Sequence, residues 1–218
     1  MFGWLINGIV EALMFLNGLV NNYGVTIILF TLIIKLLLYP LTAKQTKSMK
    51  AMQDLQPEMD KIKNKYEDDK EKQQEAMMDL YKEHNVNPAA GCLPMIFQLA
   101  ILIPLYRAIL SLSDILNDAS FLWIGTLTNG SLAEPDVAIV LVNAVAMIGQ
   151  TYVTQKMQGG GGKNSMIMWI MPAFIIFIGF QLPSGILLYW FTSTVFTAIQ
   201  QYVISKESID VDKEVTEQ

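Results

Sequence analysis

Five stretches of this chain are almost continuously apolar, and one long polar segment divides the first from the second. The apolar runs cover residues 23–41, 92–112, 137–155, 166–182 and 184–204. Each is close to the 20 or so residues that cross the hydrocarbon core of a bilayer as a helix. Backbone groups cannot stay unpaired in lipid, and uniform runs lack the alternation of a barrel strand, so the pattern predicts helices. Only the turn Leu182-Pro183-Ser184-Gly185 separates the last two. Residues 1–22 differ: Phe2, Trp4, Leu5, Ile9, Leu13, Leu16 and Leu19 fall at mixed helical spacings, with Asn7, Glu11 and Asn17 between them. That predicts an amphipathic helix lying in the external interface, with Trp4 near the headgroups. The expected class is an all-α polytopic membrane protein with five transmembrane helices.

Residues 42–91 break the apolar rhythm. Met49, Met52, Met59, Ile62 and Tyr66 recur at helical spacings, as do Met77, Leu80 and Tyr81 further on. The polar linker Glu67-Asp68-Asp69-Lys70 between the two sets predicts a hairpin of antiparallel helices, about 43–66 and 70–84. Pro57 should bend the first or start a new one, and Asn85-Val86-Asn87-Pro88 should end the second. Two readings of Met49, Met52, Met59, Tyr66 and Met77 stand side by side. One is simple packing between the helices. The other is an adaptable apolar surface that captures varied partners, a task suited to the unbranched, polarizable methionine. Nine lysines on the segment can meet anionic lipid headgroups or ribosomal RNA. Ten interleaved acidic residues argue against strong nonspecific nucleic-acid binding, and no DNA partner is expected.

Composition supports the membrane assignment. Only 16% of the 218 residues are charged, against about 25% in ordinary soluble domains, and the mean hydropathy is +0.36. The placement of Lys and Arg sets direction. Lysines crowd into 42–91, the Gly-rich loop 156–165 and the acidic tail 205–218, whereas 1–22 and the loop 113–136 hold none. The N-terminus is therefore expected outside and the C-terminus in the cytoplasm, with Arg107 snorkelling to the external interface. Without Lys or Arg, residues 1–22 lack the positive region of a removable signal peptide. The single cysteine, Cys92, excludes an internal disulfide and sits too far along the chain to be a lipobox cysteine.

Lys35 lies deep in the first apolar run. A cation at the bilayer centre costs roughly 2.5–3.5 kcal/mol on insertion scales, so it should face a partner or a watery cavity. Gln98, Asn143, Gln150, Gln155, Gln200 and Gln201 also fall within the spans. Singly, each amide can be interhelical glue. Together with Lys35 they fit a hydrated cavity, with Lys35 and Gln98 at similar depth and Gln155 nearer the inner surface, open to the cytoplasm. Other motifs fail. The run Gly159–Gly162 before Lys163 lacks the flanking strand and the Ser or Thr of a phosphate loop. His84 is the only histidine, and Ser184 has no base to activate it. No catalytic residue, metal site or cofactor is expected.

Several ordered motifs make the chain resemble the YidC/Oxa/Alb membrane protein insertases over residues 20–204. They are Gly24-Val25-Thr26-Ile27-Ile28 ahead of the mid-span cation, Leu38-Tyr39-Pro40-Leu41 and Leu55-Gln56-Pro57-Glu58. Further along come Asn87-Pro88 before Gly91-Cys92-Leu93-Pro94-Met95, then Gln155-Lys156-Met157 and Met171-Pro172. Leu182-Pro183-Ser184-Gly185 leading to Leu188-Tyr189-Trp190 completes the set. The resemblance implies a five-helix core around a hydrophilic groove that opens to the cytoplasm and sideways to lipid. In bacterial members the groove cation is usually arginine. Lys35 keeps the charge but loses the bidentate fork. By motif, Gln155 and Trp190 match groove-lining positions, and Gln98 matches in place. The chain shows no large external domain and no lipobox, and its acidic tail is unlike the long basic tail with which some members dock ribosomes.

The implied function is insertion of nascent membrane proteins into the bacterial plasma membrane without nucleotide hydrolysis. The implied partners are clients with short translocated tails, the ribosome and signal recognition particle pathway, the Sec translocon and anionic lipids. The rival reading is a small secondary transporter with Lys35 as substrate or proton site. Against it, the spans show no inverted repeat and contain no carboxylate to pair with Lys35.

Overall fold

The computed structural model describes residues 3–84, 86–87, 93–124, 131–157, 169, 172–173 and 176–216. Cys92, Gly159–Gly162 and part of the 166–182 run lie outside the described residues. Among those described there is no strand, only an isolated bridge between Phe121 and Ile124. The helices are α1 (Gly3–Val20), α2 (Tyr23–Leu37), α3 (Tyr39–Asp54), α4 (Gln56–Lys65), α5 (Lys70–Glu83), α6 (Leu93–Ser111), α7 (Ser113–Leu116), α8 (Val137–Met157) and α9 (Ser184–Thr216).

Local chemistry explains where the helices break. Asn21 takes φ 50° just past α1, a left-handed turn that asparagine tolerates. Asn22 then caps α2, its Oδ1 accepting from the Val25 N–H at 3.0 Å. The sequence pattern predicts one span through 23–41. In the structure α2 stops at Leu37, and α3 leaves it at 65°. Pro40 sits in the first turn of α3, where its missing N–H costs nothing, whereas further inside a continuous helix it would break the ladder. Pro57 does the same at the start of α4.

α1 packs against α2 and α6, and α9 lies against α8, α2, α3 and α6. The main apolar cluster joins Ile9 and Leu13 of α1, Ile27 and Phe30 of α2, Leu105 and Ile109 of α6, Val140 of α8 and Ile186–Tyr189 of α9. Leu116, Ile124 and Leu132 also belong to it, so much of the 113–136 connection is packed into the bundle end. A second cluster, Leu55, Met59 and Leu80 with Ile62, Met77 and Tyr81 against it, holds α4 to α5.

Large apolar side chains remain exposed around the bundle, among them Ile103 at 54%, Val145 at 72% and Phe177 at 68%. Such a surface is costly in water and natural in lipid. By length and composition, α1 and the Val137–Gln155 part of α8 can each cross a membrane, and α2 with α3 makes a third if the bent pair is one span. Ile96–Ser111 is a shorter apolar helix. α1 is thus long enough to span as well as to lie flat, and it presents Trp4 and Phe15 outward.

Candidate functional site: a polar seam along α9

Along α9, Tyr189, Ser193, Thr197 and Gln200 recur every three or four residues and so share one face. The last three bond to three different helices. The Ser193 hydroxyl donates to Gln98 Oε1 of α6 at 3.1 Å. Lys35 Nζ of α2 donates to Thr197 Oγ1 at 3.0 Å. Gln200 Nε2 donates to Thr42 Oγ1 of α3, and Thr154 of α8 donates to Gln201 Oε1 at 3.2 Å. Ser193 and Thr197 are one turn apart, so Gln98 and Lys35 meet α9 at levels differing by about 6 Å.

Lys35 is half-buried, and among the described residues no carboxylate pairs with it. An ammonium carries three donors. The Thr197 hydroxyl takes one, and it brings no charge to neutralise the cation.

The seam contains polar atoms with no hydrogen-bond partner among the described residues: both amide atoms of Gln45, Nε2 of Gln155 and the Tyr189 hydroxyl. Tyr189 lies beside Gln98 and Ser193 without meeting hydrogen-bond geometry to either. Trp190, the aromatic expected in the groove, is half-buried one residue on. Asn143 Oδ1 likewise has no partner among the described residues, but its amide nitrogen is used. Its Nδ2 donates to Ile139 O and, across to α9, to Leu187 O, both at 2.9 Å, which is the glue role open to any membrane amide.

The opposite end of the bundle is tightly closed. Ser184 N and Oγ both donate to Glu134 O, and Gly185 N donates to Leu132 O at 2.9 Å. Asp136 Oδ1 accepts from Ile139 N at 2.9 Å and from Trp123 Nε1 at 3.4 Å. Gly24 has no room for a side chain, because a Cβ there would fall inside the ring of Phe121. At Gly185 an added Cβ would press on Ile27 and on the Leu132 carbonyl, both at 3.2 Å.

In the polar hairpin, Met59 is buried and Met77 packs beside it, with the Tyr81 hydroxyl against Met59 Sδ. Met49 is buried on α3, Met52 is half-buried, and Tyr66 carries Lys65 Nζ over its ring at 5.1 Å. The exposed methionine is Met78, which the periodicity did not single out. Asp69 caps α5 by accepting from Lys72 N at 3.1 Å. The Lys72 side chain, then its backbone N–H, hold the Asp69 carboxyl below its ordinary range. Lys63–Asp60, Lys72–Asp69 and Lys82–Asp79 pair along the helices, while His84 Nε2 lies 3.7 Å from Glu58 Oε2.

Lys35, Gln98, Gln155 and Trp190 thus sit on helices that all pack against or form α9. Thr197, Ser193, Tyr189, Thr42 and Gln45 were not anticipated. The available signal was the recurrence of Tyr, Ser, Thr and Gln on one face of the last apolar run.

Residues 15–212 match the family described as 60Kd inner membrane protein. The chain is 44% identical over 193 residues to the membrane protein insertase YidC of Fusobacterium nucleatum, covering 86% of this chain and 88% of that one. It is 39% identical to the membrane protein insertase YidC 2 of Bacillus anthracis, over 91% of this chain and 78% of that protein. The YidC of Geobacter sulfurreducens is 36% identical, but this chain spans only 38% of its length. A crystal structure of an active YidC insertase with its first transmembrane domain resolved superposes with a TM-score of 0.76 at 34% identity, covering 92% of this chain and 46% of that one. With its apolar helices and these relatives, the chain is a protein of the cell membrane and belongs to the YidC/Oxa/Alb family of membrane insertases.

Proposed function

We propose that this chain takes nascent membrane proteins from the cytoplasm into the bilayer through a positively charged groove along α9, without nucleotide hydrolysis. The observation that carries the reading is Lys35, a cation deep among apolar helices whose polar partner is a neutral hydroxyl. Lys35, Gln98, Gln155 and Trp190 line the groove, which faces the cytoplasm, with the N-terminus outside and the C-terminus inside. Five helices form the core: α2, α6, α8, the 166–182 run and the first part of α9. α1 lies along the outer interface, and the close packing around Gly24, Phe121 and Ser184 closes the outer side.

A client first meets the cytoplasmic hairpin, where Met52 of α3, Tyr66 and Met78 offer apolar surface and the lysines meet anionic lipid. Its polar tail then enters the groove. There Lys35 attracts acidic or polar groups, and water lowers their desolvation cost. The client's apolar segment leaves sideways into lipid, and removal of that surface from water drives the step. Each negative charge carried outward gains about 2.3 kcal/mol per 100 mV of membrane potential. Clients should therefore have short, weakly acidic tails. They would arrive from the ribosome by the signal recognition particle pathway, alone or beside the Sec translocon.

The test uses purified protein in vesicles and single-span clients with acidic or neutral tails. Lys35→Arg should retain insertion. Lys35→Glu should lower insertion of the acidic client by about tenfold or more, since reversing one charge at groove distances exceeds 1.4 kcal/mol. Equal insertion by both variants overturns the electrostatic role.

A further inference from the structure

One buried group has no part in the groove as described so far. Gln45 sits one turn beyond Thr42 on α3, and Thr42, Gln45, Thr46 and Met49 share a face by their spacing. Thr42 on that face is held by Gln200 of α9, and Gln45, Thr46 and Met49 are all buried. Gln45 is 5% exposed, yet neither its Oε1 nor its Nε2 has a partner among the described residues. On the other side of α9, Thr154 of α8 bonds Gln201, and the next residue, Gln155, has its Nε2 buried with no partner among the described residues.

Buried polar atoms normally find partners, and leaving them unpaired is costly. Here one acceptor and two sets of amide hydrogens lie around α9 with no partner among the described residues. A primary amide offers the same donor and acceptor pair as a peptide group, so it can pair with both the N–H and the C=O of an extended chain. α3 is held to α9 by Gln200, but among the described residues none from α3 belongs to the main apolar cluster, and the chain bends by 65° between α2 and α3.

We infer that Gln45, with Gln155, forms a second subsite, which binds the backbone peptide groups of the incoming client when α3 swings away from α9. The inference rests on the insertase reading. Lys35 selects charge, whereas these amides hold uncharged extended chain that has lost its water. In the resting arrangement their unpaired atoms lower the cost of opening, and the client's peptide groups satisfy them.

The test uses the full-length protein in vesicles, with single-span clients bearing either a neutral Ser/Asn-rich tail or an acidic tail. Gln45→Met keeps an unbranched side chain of similar length and removes both polar atoms. Insertion of the neutral-tailed client should fall about fivefold or more, while the thermal midpoint holds or rises because a buried unpaired amide is gone. Gln155→Met should act in the same direction with a smaller loss. A photoreactive side chain at position 45 should capture the client's tail during insertion and not after release. Unchanged insertion by both variants, with no capture at 45, overturns the subsite while leaving the role of Lys35 standing. A lowered thermal midpoint with a matching loss for every client makes Gln45 structural and also overturns it. If the unsubstituted protein inserts neither client, both readings fall together.

Discussion

The two ends of this bundle are built on opposite principles. Around Gly24, Phe121, Leu132 and Ser184 the chain is packed until no side chain can be added, and Ser184, Gly185 and Asp136 all find hydrogen-bond partners. Around Lys35, Gln45 and Gln155 the helices are joined by hydroxyl and amide bonds, and several buried polar atoms have no partner among the described residues. A satisfied, close-packed end resists opening. A polar seam with unmet hydrogen bonds lowers the barrier to admitting water or another chain. The contrast sets a satisfied, close-packed end against a polar seam, and the proposed insertase reading uses the seam as the side that receives the client.

The contrast can be broken most severely at Gly24. Gly24→Leu should drive a side chain into Phe121 and cost about 3 kcal/mol or more, beyond the usual range of overpacking because the clash is with the root of a ring. A fall in the thermal midpoint in detergent would register it. Gly24→Ala should cost less and be partly recovered by adding Phe121→Ala. No recovery would mean that the glycine matters for its backbone and not for the ring above it.

A matched pair of hydroxyl deletions sharpens the comparison. Ser184→Ala removes the bond to Glu134 O and should destabilise by about 1 kcal/mol. Thr197→Val keeps the shape and removes the partner of Lys35. It should change stability by about 0.5 kcal/mol or less if the ammonium is already wet, the typical range for a site without a structural role. A larger cost at Thr197 than at Ser184 would show that the seam is as dry and fixed as the closed end.

The smallest effect belongs to the hairpin, outside both ends. Bonds from Lys72 lower the Asp69 carboxyl in the folded state. Its contribution is therefore complete above the unfolded carboxylate value of about 3.9. It is lost as pH falls further, through the lowered folded value. Hydrogen exchange at the start of α5 should accelerate in that acid window, and Asp69→Asn, which keeps a capping oxygen, should remove the dependence. An unchanged profile in the variant would assign the acid effect elsewhere.

Much of the site was legible in the sequence, though unevenly. Lys35 announces itself because a cation in a hydrocarbon run has few tolerable surroundings. Gln98 and Gln155 stand out for the same reason, more weakly. Thr197 and Ser193 do not, since hydroxyls in a membrane helix commonly bond back to their own backbone, as Thr192 does to Leu188 O. Gln45 reads as one polar residue in a polar segment, and nothing local says that it is buried.

Sequence by itself determined the helical class, the apolar runs, the isolated cation and the break at Pro57, because hydropathy, charge and proline geometry act over a few residues. Only the tertiary structure decided that α2 ends at Leu37, that the 113–136 connection folds back into the bundle end, that Thr197 is the partner of Lys35, and that the Gln45 amide and Gln155 Nε2 are buried without partners among the described residues. Those facts depend on which helix faces lie together across well over a hundred residues of chain, and no local pattern carries that pairing.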